Sequence, residues 1–256
     1  MKFIDTHTHL FLPQYNEDID EVVKRAINSN IEKMLLPNIS IGTIDDMLNL
    51  CEKYPSIFHP MIGIHPCEIN NDFEDDLKYI EKIINEYKFV AVGEIGIDLH
   101  WKKDNLESQK KAFKSQILLA KKNNLPIVIH NRNSFEETIE IVENLNDHNL
   151  RGVFHCYNGD IEQANRILDL GDFFLGIGGV ITFKNSKMDE TIKQIPLENI
   201  VIETDSPFLT PYPYRGKRNE SKYIVNIAEK ISEIKKIDLN IVANITTENA
   251  IKLFKL

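Results

Sequence analysis

The sequence predicts one (β/α)8 TIM barrel, spanning residues 1–256 as a single domain. Three observations predict it. Eight short, apolar, β-branched runs alternate with longer segments of helical period. About 250 residues is the usual length of eight βα units. The first run is followed by THTHLFLP, which lacks the glycine-rich phosphate loop that an open doubly wound sheet normally carries at that place.

The strand-like runs are KFIDTH (2–7), KMLLPNI (33–39), FHPMIGI (58–64), FVAVGEI (89–95), PIVIH (126–130), GVFHC (152–156), FFLGI (173–177) and NIVIETD (199–205). Amphipathic stretches lie between them. Over 105–123, Phe113, Ile117 and Ala120 fall at helical spacing, and Asn123, Asn124 and Pro126 end that helix. Over 134–145, Ser134 and Glu137 read as a capping box, with Ile141, Val142 and Leu145 on the apolar face. Over 221–236, Ile224, Ile227, Ala228, Ile231 and Ile234 form one face. No Gly/Ser- or Pro-rich linker divides the chain, and nothing repeats beyond the βα period.

Composition bounds the function. With 42% apolar and 27% charged residues the chain is long enough to bury a core without staples. Its longest near-apolar stretch, residues 173–183, is too short for a bilayer, which takes roughly 20 residues. Asp5, His7 and His9 interrupt any secretory h-region. The formal net charge of −9 argues against a protein that coats nucleic acid, though not against an enzyme with local positive charge at its site. Cys51, Cys67 and Cys156 are odd in number and lack C-x-x-C spacing, which points to a reducing cytoplasm.

In a barrel the C-terminal strand ends build the active site. His7 and His9 end the first strand, His65 follows the third, Glu94 ends the fourth, His130 ends the fifth, His155 lies near the end of the sixth, and Glu203 and Asp205 close the eighth. An H-x-H step in extended chain puts both imidazoles on one face, within reach of one ion. Alone, that pair is more often a chance of loop sequence, and a lone strand-end histidine is more often a hydrogen-bonded core residue. Four histidines and two acids on one rim make separate structural explanations improbable. Mixed imidazole and carboxylate donors suit Zn, Mn, Fe or Ni better than Ca. Six ligands exceed the three that one catalytic zinc takes, whereas two ions bridged by Glu94 would use them all.

Other segments are ambiguous. Gly176, Gly178 and Gly179 follow the seventh strand, where barrels often bind phosphate; a tight turn is the simpler reading. RGKR at 215–218, near Tyr212, Tyr214 and Tyr223, suits phosphate contact and base stacking as well as it suits a solvated charge run. Cys156 is read as a small buried apolar residue turned away from His155, and His59 and His148 as structural or exposed.

These segments resemble the TatD-type metal-dependent deoxyribonucleases of the amidohydrolase-like barrels. The resemblance runs nearly end to end, through FIDTHTHL, MIGIHP, VAVGEIGID, IVIHNR, HCYNGD, IETDSPFL, RGKRNE and TENAIKLF in order. It implies two divalent cations (Mg2+, Mn2+ or Zn2+) held by His7, His9, Glu94, His130, His155 and Asp205, with His65 and Glu203 near the site. The implied activity is exonuclease-like hydrolysis of DNA phosphodiesters by metal-activated water, with single strands or strand ends as partner and no membrane or obligate protein partner. Asp205 would take the water's proton, with Glu94, His65 and Glu203 as the other catalytic residues, and Arg132, Arg215, Lys217 and Arg218 would hold phosphates. Tyr157, Asn158 and Ser221 depart from the residues frequent in the family, which touches substrate preference and not the ligands. A binuclear hydrolase of small esters or amides, or of an ester on tRNA, is the nearest competing reading, and a non-catalytic metal- or nucleic-acid-binding module is a more distant one.

Overall fold

Residues 1–70, 72–147 and 149–256 are described by the structure, a computed structural model. His148 lies outside the described residues. Strands and helices alternate as β1 (Phe3–Asp5), α1 (Ile19–Asn28), β2 (Ile31–Pro37), α2 (Ile44–Lys53), β3 (Phe58–Met61), α3 (Phe73–Ile83), β4 (Val92–Asp98), α4 (Leu106–Lys122) and β5 (Ile127–Arg132). The order continues with α5 (Phe135–Leu145), β6 (Gly152–Phe154), α6 (Ile161–Leu168), β7 (Phe173–Ile177), α7 (Asp189–Gln194), β8 (Ile200–Ile202), α8 (Ile224–Lys235) and α9 (Leu239–Phe254). Each strand coincides with one of the eight expected runs, and β4 is shifted toward its C-terminal end.

All pairings are parallel, in ladders β1-β2-β3 and β4-β5-β6-β7-β8. Backbone bonds cross both gaps between these ladders. Val90 N reaches Pro60 O (3.0 Å) and Gly93 N reaches Ile62 O (2.9 Å), with a parallel bridge between Ile62 and Val92. On the other side Thr6 N reaches Ile202 O (3.1 Å) and Asp205 N reaches His7 O (2.9 Å), with a parallel bridge between Thr8 and Ser206. The eight strands thereby form a closed ring. Asp5 reinforces the second seam: its carboxylate accepts from Thr204 N (2.9 Å) and Thr204 Oγ1 (2.6 Å).

Alternation along the strands divides the core in two. Ile4, Leu35, Met61, Val128, Val153, Phe174 and Val201 fill the barrel, and Ala250, Leu253 and Phe254 of α9 pack on the same cluster. Their sequence neighbours, among them Phe3, Ile127, Ile129 and Phe154, pack outward with the helices. The expected capping box at α5 does not form: Ser134 makes no side-chain bond to the helix, and its Oγ donates to Ile97 O (2.7 Å) and lies 2.9 Å from Asn131 Oδ1, tying the helix start to β4.

Candidate metal centre and active site

The period of two that fills the barrel also loads its rim. Two residues beyond the inward Val128, Val153 and Val201 come His130, His155 and Glu203, and two more bring Asp205. Glu94 arrives differently. Val92 and Ile95 pair with Ile127 and Ile129, so Gly93 and Glu94 together oppose the single Val128. This β-bulge re-aims Glu94 into the ring. A Cβ on Gly93 would lie 2.6 Å from Val128 Cβ, so a side chain there would block the close passage of β4 over β5.

The two oxygens of Glu94 face two separate groups of imidazoles. Oε2 lies 3.2 Å from His7 Nε2 and 3.5 Å from His9 Nε2, and Asp205 Oδ1 lies 3.8 and 3.4 Å from the same nitrogens. Oε1 lies 2.7 Å from His130 Nδ1, 3.3 Å from His155 Nε2 and 3.5 Å from His65 Nε2. A further layer holds the rings. His130 Nε2 is 3.0 Å from Asp98 Oδ2, His155 Nδ1 is 3.0 Å from Glu203 Oε1, and His9 Nδ1 is 3.2 Å from Pro37 O. His7 stacks on His155 with centroids 3.7 Å apart.

Electrostatics hold this assembly together. Burial would raise the Glu94 carboxyl, but the charges of His155, His65 and His7 outweigh it and hold the group well below the usual carboxylate range. Burial likewise opposes, without overcoming, the lowering of Asp205 by His9 and His155. Burial disfavours charge on His155 and His130, yet Glu203 and Glu94 raise the first well above its ordinary value, and Asp98 and Glu94 raise the second. Burial lowers His7 and His65. The donor chemistry fits divalent cations: ring nitrogens and carboxylate oxygens converge in groups tight enough for one ion each, His7, His9 and Glu94 in one and His65, Glu94 and His130 in another.

A sequence profile for TatD related DNases matches residues 4–255. The chain belongs to the TatD related DNase family. It is 41% identical over 253 residues to YabD of Bacillus subtilis (strain 168), an uncharacterized metal-dependent hydrolase, covering 98% of both chains. Its fold superposes on the crystal structure of the TatD homolog YjjV from Escherichia coli K12 with a TM-score of 0.93 at 27% identity, covering 99% of this chain and 98% of that one. A TatD family hydrolase from Entamoeba histolytica superposes with a TM-score of 0.86 at 26% identity over 99% and 98% of the two chains. The protein is thus a metal-dependent hydrolase of the TatD family. Among the described residues no helix is long and apolar enough to cross a membrane.

In this TatD-family barrel the imidazoles open onto a cavity of about 510 Å³, whose lining includes Glu94, Asp98, Trp101, Arg132, Asp205 and Phe208. Trp101 is 67% exposed and Phe208 47%, and the Arg132 guanidinium lies 5.4 Å from the Trp101 ring centre. Glu203 does not line it; that carboxylate is buried behind His155, also accepts from Cys156 N (2.5 Å), and occupies the space a Gly176 side chain would need. Gly178 and Gly179 are buried as well, so this segment is packed and offers no open phosphate cradle.

The basic cluster is spent mostly on structure. Arg218 clamps Asp18 through two bonds (2.8 and 2.7 Å) and lies 4.5 Å over Tyr15. Arg215 stacks on Phe183 at 3.9 Å and donates to Thr210 O (3.1 Å), while Lys217 sits 5.7 Å from the Tyr214 ring. None of these three lines the cavity. Tyr214 and Tyr223 stack on each other at 4.4 Å, and Tyr212 is exposed. Cys156 is half-buried in the turn after β6 at φ 48°, where the alternation of the strand no longer holds, and burial pushes its thiol up to about 12.

Three residues of the site escaped the sequence reading. Asp98 ends β4 and is legible by the same strand-end rule that found Glu94. Trp101 and Phe208 sit on irregular loops, where no periodicity places a side chain.

Proposed function

We propose that the chain, acting as one hydrolase domain over residues 1–256, cleaves DNA phosphodiester bonds at strand ends or in single strands. The observation that carries this reading is the two-sided arrangement about Glu94, one carboxylate oxygen toward His7, His9 and Asp205, the other toward His65, His130 and His155. Two divalent cations, Mg2+, Mn2+ or Zn2+, would be held by His7, His9, Glu94, His130, His155 and Asp205. When bound, such ions acidify water and polarise phosphoryl oxygen.

The chain's own residues supply the rest. Asp205, its carboxyl held below the ordinary value and at the cavity wall, accepts the proton of the attacking water. Asp98 and Glu203 fix the rings of His130 and His155, and Glu203 does so from behind, off the cavity. His65, on the cavity wall, completes the group of imidazoles about Glu94 Oε1. Arg132 offers a phosphate contact, with Trp101 and Phe208 as faces on which an unpaired base can stack. Phosphate contacts by Arg215 and Lys217 remain compatible with their place on the loop after β8, whereas Arg218 would first have to leave Asp18. A cytoplasmic site of action accords with the free thiols of Cys51, Cys67 and Cys156.

The test compares single-stranded DNA, duplex DNA, RNA and small esters under one metal condition, for the native chain and Glu94→Gln. Hydrolysis fastest on single-stranded DNA, and reduced to the metal-free level in the variant, is the expected outcome. Faster turnover of a small ester than of any nucleic acid would replace DNA as the substrate.

A further inference from the structure

The barrel has a second cavity at the opposite end. It measures about 620 Å³, within the range of small-molecule sites. Its apolar surface comes from Leu48 of α2, from Phe58, Phe89, Val90 and Leu125 at the N-terminal ends of the strands, and from Phe254 on the last turn of α9. Lys33, Lys88, Arg151 and Lys255 surround it, against the carboxylates of Glu52 and Leu256. Among the described residues none of those four cations forms an ion pair, in a chain that carries nine more acids than bases.

Two of the cations are held in place. Arg151 donates to Asn124 O (2.6 Å) and Asn124 Oδ1 (2.9 Å), which leaves Nε uncommitted. Lys33 Nζ lies 3.3 Å from His59 Nε2; since the ammonium can only donate, Nε2 accepts and the ring carries its proton on Nδ1. The wall therefore presents fixed donors of one sign. Burial, then Lys33 and Lys88, lowers His59 to about 4, as expected where positive charge lacks a counter-ion.

We propose that this cavity binds a small organic phosphate with a flat apolar body, of the size of a nucleoside monophosphate. The cations and His59 Nδ1–H take the phosphate; the apolar floor and the exposed Tyr87 ring take the body. The proposal does not depend on the nuclease reading, because none of these residues lines the catalytic cavity.

The test titrates the metal-loaded full chain with AMP, adenosine and inorganic phosphate at low salt. Amide shifts of His59, Tyr87 and Val90 are followed by NMR. Saturable shifts there are expected with AMP, with roughly tenfold weaker binding of either half alone and a similar loss in the exposed double variant Lys88→Glu/Lys255→Glu. Lys33→Glu should weaken binding as well. The sole tryptophan, Trp101, stands at the other cavity, so quenching of its emission reports binding there and bears only on the catalytic reading. Absence of shifts at the lower cavity, unchanged affinity in the double variant, or inorganic phosphate binding as tightly as AMP would overturn the proposal.

Discussion

Asp98→Asn isolates how a buried carboxylate governs an imidazole. Asp98 Oδ2 lies 3.0 Å from His130 Nε2, while Oδ1 accepts from the backbone of His100 (2.8 Å) and Trp101 (2.7 Å). A carboxylate can only accept, so Nε2 of His130 must carry a proton. A neutral ring then presents the lone pair of Nδ1 toward Glu94 and His65. Asparagine keeps its oxygen on the two backbone donors and turns its amide toward His130. Nε2 must now accept, so the proton moves to Nδ1 and the lone pair is lost from the metal side.

Loss of such an outer partner typically costs about 10–100-fold in metal affinity, which is about 1.4–2.7 kcal/mol. Folding stability should change little, because both loop bonds survive. Chelator competition measures the affinity, and urea denaturation with metal in excess checks the fold. An affinity within twofold of the native value, with the fold intact, refutes the tautomer argument. A large loss of stability would mean that the amide flipped and set its donors against those of His100 and Trp101.

Asp205→Asn should lower turnover on single-stranded DNA by roughly 10²–10⁴-fold with DNA binding retained, as steady-state rates and a filter-binding assay would show; an unchanged rate removes Asp205 from proton transfer. Trp101→Ala should raise KM for single-stranded DNA by the loss of one stacking face, about 1–3 kcal/mol, and leave a mononucleotide ester unaffected; equal effects on both substrates would contradict stacking. His59→Gln should flatten the acid side of the stability curve. The ring is depressed to about 4 from an unfolded value near 6.5, so the unfolded chain binds more protons in that window and stability falls as pH drops through it. With solvent screening allowed for, the difference between native and variant urea stabilities should change by about 1–2 kcal/mol from pH 7 to pH 4.5, and an identical pH dependence would sink the assignment.

The strands were legible because the period of two and β-branched composition are local properties. The same period carried His130, His155 and Asp205 to the rim from inward-facing Val128, Val153 and Val201. Glu94 was found for a different reason than the one that places it: a two-for-one bulge turns it inward, and sequence alone does not distinguish a bulge from a regular strand. The basic cluster shows the converse. Four residues of RGKR read as a charge patch, but Asp18, which captures Arg218, lies 200 positions away. Side-chain pairing over that distance has no periodic trace. The capping box at Ser134 failed similarly, because its hydroxyl is drawn toward Ile97 O and Asn131 Oδ1, an orientation that leaves no side-chain bond to the N–H groups of the helix.

Charge balance explains why so many acids can be buried together. Asp5, Glu94, Asp98 and Glu203 are buried in and around one rim, and each ionised carboxylate costs several kcal/mol to desolvate. Asp5 has no imidazole beside it, and burial pushes its carboxyl up to about 7 against the opposing hydrogen bonds from Thr204. The others stand against imidazoles, and Glu203, Asp98 and Glu94 shift His155 and His130 toward the protonated form against the opposing effect of burial. Protons and divalent cations are therefore alternative occupants of one buried negative field. Loading the site with metal must release protons, and acidification must weaken loading. The Val-lined barrel and the Asp5–Thr204 seam use none of the groups that would hold the cations, so metal exchange should leave the fold in place.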